Sequence, residues 1–258
     1  MLCKDIMKLI ETTYPKHAAL EWDNVGLLVG RTDREVKKIY VALDATDEVI
    51  DDAILQGADM LITHHPLIFE PLKQITDEYF ISNRVVKLLQ HDISYYAMHT
   101  NYDVLGMAEL SGVTLGLSNM EVLEMTNPEL VQGIGRVGQL PRKMTLKECC
   151  ELVKEKFRLE QVKVFGNVDK MVRCAAISPG SGKHMKEIAI EKQADVLITG
   201  DIDHHEGIDA NALGLAIIDA GHYGLEHIFI ADMAEFLKRH LENVEVIKAK
   251  QLHPFQVV

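Results

Sequence analysis

The chain has 258 residues, 47% of them hydrophobic and 26% charged, a soluble globular balance with room for one large domain or two modest lobes. Its 27 Lys and Arg stand against 39 Asp and Glu, a formal net charge of −12, with no long run of Lys and Arg. That argues against nucleic acid as the main partner, because phosphate binding needs clustered positive side chains.

The opening segment "MLCKDIMKLIETTYPKH" places Ile6, Leu9, Ile10 and Thr13 on one face at helical spacing, with charges between them, so it reads as an amphipathic helix and not a signal peptide. No apolar run approaches the ~20 residues that a bilayer span requires. The expectation is a soluble cytoplasmic protein with no membrane partner. Cys3, Cys149, Cys150 and Cys174 form no CxxC pair, which points to reduced thiols and to neither a disulfide framework nor a zinc ribbon.

"KIYVALD" (Lys38–Asp44) is a β-branched, apolar strand, and "TDEVIDDAILQGA" after it is a helix closed by Gly57. "DMLIT" is the next strand, "DEYFISNRVVKLLQHD" the next helix, and "ISYYAMHTNYD" a strand entering a polar loop. An Ala- and Leu-rich helix follows from about Gly106. The pattern weakens between about Met120 and Gly138. A second set then alternates helix and strand: "TLKECCELVKEKF", "VKVFG", "MVRCAAI", "HMKEIAIEKQ", "DVLIT", "GIDANALG" and "LAIID". It ends with a helix from about Leu225 to Leu241 and the strand "VEVIKA". The expected fold is α/β, two related lobes with mostly parallel sheets. The lobes are placed at 1–125 (with His64, His65 and Asp103) and 126–258 (with His222 and Glu226), and interleaving is allowed.

An internal echo supports related lobes. "GADMLITHHP" and "QADVLITGDI" share Ala-Asp-x-Leu-Ile-Thr, each after an acidic amphipathic helix. In open parallel sheets, ligands bind at the carboxyl ends of strands. Those ends carry His64 and His65; His99, Asn101 and Asp103; Asp201, Asp203, His204, His205 and Glu206; and His222, Glu226 and His227. They hold seven of the chain's twelve histidines.

The spacings suit metal. Adjacent residues in extended chain point apart, so His64 and His65 fit two neighbouring ions better than one. His222 and Glu226, at i and i+4, share a helical face. Asp103 adds a hard oxygen donor. Imidazoles and carboxylates without thiolate suit a catalytic transition-metal pair better than a closed structural zinc site. Each feature also has a plain structural alternative: core or capping histidines for His64-His65, a solvated pair for His222 and Glu226, and a turn with Trp22 in the core for "WDNVGLLVG".

"WDNVGLLVG" (Trp22–Gly30), "ALDAT", "ITHHPLIF", "HTNYD", "ITGD" and "AGHYGLE" occur in this order. Together they resemble the Nif-three-like family, whose bacterial members are labelled GTP cyclohydrolase 1 type 2 homologues, in its short form. The resemblance implies two α/β lobes with a dinuclear metal site in the cleft between them, in hexameric rings. It implies His64 on one metal with His222, His65 on the other with Asp103, and Glu226 bridging both. His99, His205 and Glu226 are the candidate catalytic groups, with His205 read as close to the metals and His204 as surface. Two divalent ions are expected, zinc first, with manganese, iron, nickel or cobalt as alternatives. The implied function is a metal-dependent hydrolase of a nucleotide-like small molecule, with GTP ring opening as the named candidate. The alternative is a non-catalytic metal-binding regulatory or scaffold protein.

Overall fold

The computed structural model describes residues 1–251, 254 and 255. They form two units: the first contains Met1–Tyr102 and residues 229–251, the second Asp103–Ile228 with Pro254 and Phe255. The chain therefore leaves the first unit at Tyr102 and returns to it, where the sequence reading divides the lobes at 125 and 126. Asp103 belongs to the second unit and the last helix and strand to the first.

The first unit begins with α1 (Cys3–Thr13), which buries Cys3, Ile6 and Ile10. After β1 (Gly26–Val29) and β2 (Lys38–Ala42) comes α2 (Asp47–Leu55), whose Thr46 cap accepts a hydrogen bond from the Val49 amide at 3.3 Å, with Asp47 and Glu48 in its first turn. β3 (Met60–Thr63), α3 (Phe80–Gln90), β4 (Ser94–Ala97) and the single turn α4 (Thr100–Tyr102) complete this segment.

The second unit opens with a π-helical turn, Asp103–Met107, and then α5 (Ala108–Leu115). The hairpin strands β5 (Ser118–Asn127) and β6 (Gln132–Thr145) follow, then α6 (Leu146–Phe157), β7 (Lys163–Phe165) and β8 (Met171–Ser181). The rest is α7 (Met185–Glu191), β9 (Val196–Gly200), α8 (His204–Ala212), β10 (Ala216–Asp219) and α9 (His222–Glu226). The chain then returns to the first unit through α10 (Ile228–His240) and β11 (Glu245–Lys248). The single helix expected from Leu225 to Leu241 is thus two, separated at His227.

The first sheet runs β1-β4-β3-β2-β11, with only β1 antiparallel to its neighbour. β3 and β4 are buried along their whole length, as their unbroken apolar runs require of strands covered on both faces. The core includes Ile50, Leu61, Leu88 and Tyr95, each contributing roughly 1.5–3 kcal/mol by leaving water.

The second sheet runs β5-β6-β8-β9-β10-β7. Only β8–β9 and β9–β10 are parallel; the other pairings are antiparallel, so the expectation of a mostly parallel sheet is corrected here. The antiparallel part comes from the segment where the periodicity fades. β5 is largely solvent-facing, and a Cβ on Gly133 of β6 would meet the Glu124 carbonyl oxygen at 1.9 Å, so close backbone pairing there requires glycine.

The echo has a structural cause. Oδ2 of Asp59 accepts from the amides of Lys37 and Lys38 at 2.8 and 3.0 Å, at the entry of the preceding parallel strand. Oδ2 of Asp195 accepts from the amides of Arg173 and Cys174 at 2.8 and 2.9 Å. Each aspartate thus clamps the start of one strand to the start of the next, in the same βαβ context.

Candidate metal centre

In the first unit, His64 and His65 lie just past the end of β3, in a bend, so strict strand alternation does not set their directions. Their anchors do. Nδ1 of His64 lies 2.8 Å from the carbonyl oxygen of Met98, beyond β4, and Nδ1 of His65 lies 2.7 Å from Oδ1 of Asp44, beyond β2. In the order β4-β3-β2, adjacent imidazoles are therefore held from opposite sides of one strand. Their ring centroids are 4.9 Å apart and tilted by 47°. His64 is fully buried, packed against the rings of Tyr102 and Phe229.

His99 is the third histidine of this cluster. Its Nδ1 is 2.9 Å from Oδ1 of Asp23, and its ring centroid is 5.3 Å from that of His64 and 5.6 Å from that of His65. Ligand atoms of His64, His65 and His99 lie within 4.8 Å of one another. The Asp23 carboxylate is wholly shielded and also accepts from the amide and hydroxyl of Thr100 and from the Asn24 amide. Burial raises its pKa, but the His99 hydrogen bond and charge and the two Thr100 contacts outweigh burial and hold it at about 2.

In the second unit, His222 begins α9, and its Nδ1 lies 2.8 Å from Oδ2 of Asp201, just past the end of β9. Its Nε2 lies 2.9 Å from Oε2 of Glu226, the i+4 partner on the same helical face, and Glu226 is only 3% exposed. Asp219, at the end of β10, fastens the surrounding loops: it accepts from the amides of Ile202 and Gly221 and pairs with Lys163 at 2.7 Å. Asp103 is half-buried at the start of the π turn, a local widening of the helix that often marks functional sites.

One rule unites four histidines. A carbonyl or carboxylate oxygen lies 2.7–2.9 Å from Nδ1 of His64, His65, His99 and His222, so in each ring Nδ1 is the anchored donor and Nε2 is the nitrogen on the far side of the ring. That is how proteins orient imidazoles toward a metal. Among the described residues, the His, Asp and Glu groups able to hold a metal draw on His64, His65, Asp103, His222, Glu226 and His99. The donor set fits a divalent transition ion. His204 and His205 are exposed on the first turn of α8, which Asp203 caps by accepting from the Glu206 amide. The alternative reading of Trp22 as core is corrected: it is 58% exposed.

Spacing does not single out the orienting acids Asp23 and Asp44, and it places Asp201 at a strand end without a role. The signal was present, because each lies in one of the quoted motifs, "WDNVG", "ALDAT" and "ITGD".

The model of the family Duf34/NIF3 (NGG1p interacting factor 3) matches residues 1–254. The chain belongs to the DUF34/NIF3 family. It is 36% identical over 246 residues to a "GTP cyclohydrolase 1 type 2 homolog" of Clostridium acetobutylicum, covering 94% of this chain and 92% of that protein. It is 33% identical over 262 residues to a protein of the same name from Clostridium perfringens, covering all of both. Among solved structures, a Bacillus cereus protein related to NIF3 superposes with a TM-score of 0.91 at 28% identity, covering 100% of this chain and 99% of that one. The two-sheet α/β architecture is thus that of NIF3 proteins. No described helix is long and apolar enough to cross a membrane.

Proposed function

We propose that this NIF3-family chain is a dinuclear-metal-dependent hydrolase of a nucleotide-like small molecule, with GTP ring opening as the candidate reaction. The observation that carries it is the shared anchoring of His64, His65, His99 and His222 through Nδ1, which turns Nε2 of each ring away from its anchor. Structural histidines do not need a common tautomer.

In this proposal His64, His65, Asp103, His222 and Glu226 hold two divalent ions, zinc first, with manganese, iron, nickel or cobalt as alternatives. The bound pair supplies Lewis acidity and a hydroxide nucleophile near neutral pH. The chain's own residues do the rest. Asp44 and Asp201 fix His65 and His222, and the low pKa of Asp23 keeps it a carboxylate that holds His99 in one tautomer. His99 is then the candidate proton carrier beside the cluster. His205 was a further candidate from family resemblance, but its exposed place on α8 lends it no comparable support. The name borne by the Clostridium relatives supports the choice of GTP as first substrate. A hexameric ring and a cytoplasmic location complete the proposal.

The test is metal-reconstituted protein assayed on GTP and on a panel of phosphoesters and cyclic amidines, with elemental analysis of the same preparation. Turnover that disappears in Glu226→Ala together with both ions supports the reading. An intact metal pair with no turnover on any panel member overturns it and leaves a metal-binding scaffold. Sedimentation of a stable single-chain species at micromolar concentration overturns the hexamer.

A further inference from the structure

Trp22, the chain's only tryptophan, is 58% exposed, and Phe69 is 51% exposed. A large aromatic side chain usually buries most of its area. These two stand together on the first unit, centroids 5.7 Å apart with planes tilted by 35°. Both rings meet His99 edge-on, at 5.8 Å for Trp22 and 6.0 Å for Phe69. His99 in turn adjoins His65, so the aromatic pair borders the histidine cluster.

The pair sits on a braced support. Asp23, next to Trp22, is tied to His99, Thr100 and Asn24. The side-chain amide of Asn24 donates to the carbonyl of Ile68, next to Phe69, at 2.6 Å. One hydrogen bond thus joins the loop that presents Trp22 to the loop that presents Phe69. Bracing two exposed rings at fixed spacing prepares a stacking surface at little entropic cost on binding. The flanking charges narrow the ligand: Glu21 precedes Trp22 and Glu70 follows Phe69, both exposed. Two carboxylates disfavour an anionic group and accept from ring N–H groups.

We infer that Trp22 and Phe69 form a stacking subsite for an uncharged planar nitrogen heterocycle of the purine type, placed beside His99. The subsite takes the ring end of the ligand and leaves any phosphate elsewhere. It rests on the proposed function for its place in a reaction, but not for its existence.

The experiment uses the intrinsic fluorescence of Trp22, whose emission no other tryptophan obscures. Guanosine is titrated into the full chain, both metal-loaded and chelator-treated, with ribose and inorganic phosphate as controls. The expected result is saturable quenching by guanosine and none by ribose or phosphate. By calorimetry, guanosine affinity should fall about tenfold or more in Phe69→Leu and in Trp22→Leu, the loss of one stacked base contact. Metal content and thermal midpoint should not change, because both side chains are exposed. Absence of saturable quenching overturns the inference, and so does unchanged affinity in Phe69→Leu. So does Trp22 emission that shifts on dilution without ligand, which would show the patch covered by a second copy. Quenching by guanosine while the metal-loaded chain turns over no substrate sinks the hydrolase reading and leaves the subsite standing. Turnover of GTP with Phe69→Leu unimpaired does the reverse.

Discussion

Gly180 lies directly against the carboxylate of Glu226. A Cβ built on Gly180 would stand 2.6 Å from Oε1 of Glu226 and 3.7 Å from Nε2 of His222, and the residue has a φ of +79° that side chains rarely adopt. The end of β8 therefore dispenses with a side chain so that a buried carboxylate can sit where α9 presents it.

Gly180→Ala should displace Glu226 and lower affinity for divalent metal by roughly 10- to 100-fold, the range for losing a group that positions a ligand. Backbone strain alone could also weaken the protein, by about 1–3 kcal/mol. Gly214→Ala separates the two effects: its φ is +88° and nothing lies within 4 Å of a Cβ there. The expected outcome is similar loss of stability in both variants and loss of metal binding, by calorimetry, in Gly180→Ala alone. Equal metal affinity in the two would refute it.

The site was legible where chemistry shows as residue type. His64-His65 and the His222/Glu226 spacing stand out in the chain because donor-bearing side chains collect there at strand ends and on one helical face. Asp23, Asp44 and Asp201 did not, because a single aspartate after an apolar run is what any strand exit looks like. Only the fold reveals that each meets an Nδ1. The βαβ elements were legible from apolar runs that are buried on both faces. The β5–β6 hairpin was not, since an exposed strand such as Ser118–Asn127 mixes polar and apolar residues with little period. The unit boundary was hidden for another reason: β11 pairs with β2, a long-range parallel contact with no local signature.

Asp23 gives a pH prediction. Its folded pKa of about 2 lies below the ordinary 3.8, so its ionised form stabilises the fold. That contribution is complete above about pH 4 and is lost as pH falls toward 2. Asp23→Asn should cost roughly 2 kcal/mol of unfolding free energy at neutral pH. The gap between variant and parent should shrink between pH 4 and pH 2. A gap that stays constant across that window would show that packing, not ionisation, is responsible.

The four cysteines should be chemically quiet. Burial, reinforced by the neighbouring Cys150, pushes Cys149 up to about 12, and burial also raises Cys3, Cys150 and Cys174. The thiolate is the reactive form, so a thiol reagent near pH 8 should label the native protein slowly, beginning with the half-buried Cys174. In denaturant all four should react at once. Fast labelling of native Cys149 or Cys150 would contradict the packing of α6, which buries both in the core.

Asp195 tests whether the repeated Ala-Asp-x-Leu-Ile-Thr serves architecture or chemistry. Its carboxylate satisfies the amides of Arg173 and Cys174 at the start of β8, the amino end of the parallel strands, whereas Asp201, His222 and Glu226 gather at the carboxyl end. Asp195→Ala leaves two amides short of an acceptor and should cost about 2–3 kcal/mol of stability. Asp195→Asn keeps one side-chain oxygen that can accept both bonds and should cost less. Asp59→Ala should behave alike, with the further loss of the pair to Arg34 at 2.6 Å. Metal content per folded chain should stay at the parental level in all three variants, by elemental analysis alongside denaturant unfolding. A variant that keeps its stability but loses metal would give the motif a chemical role and undo the architectural reading.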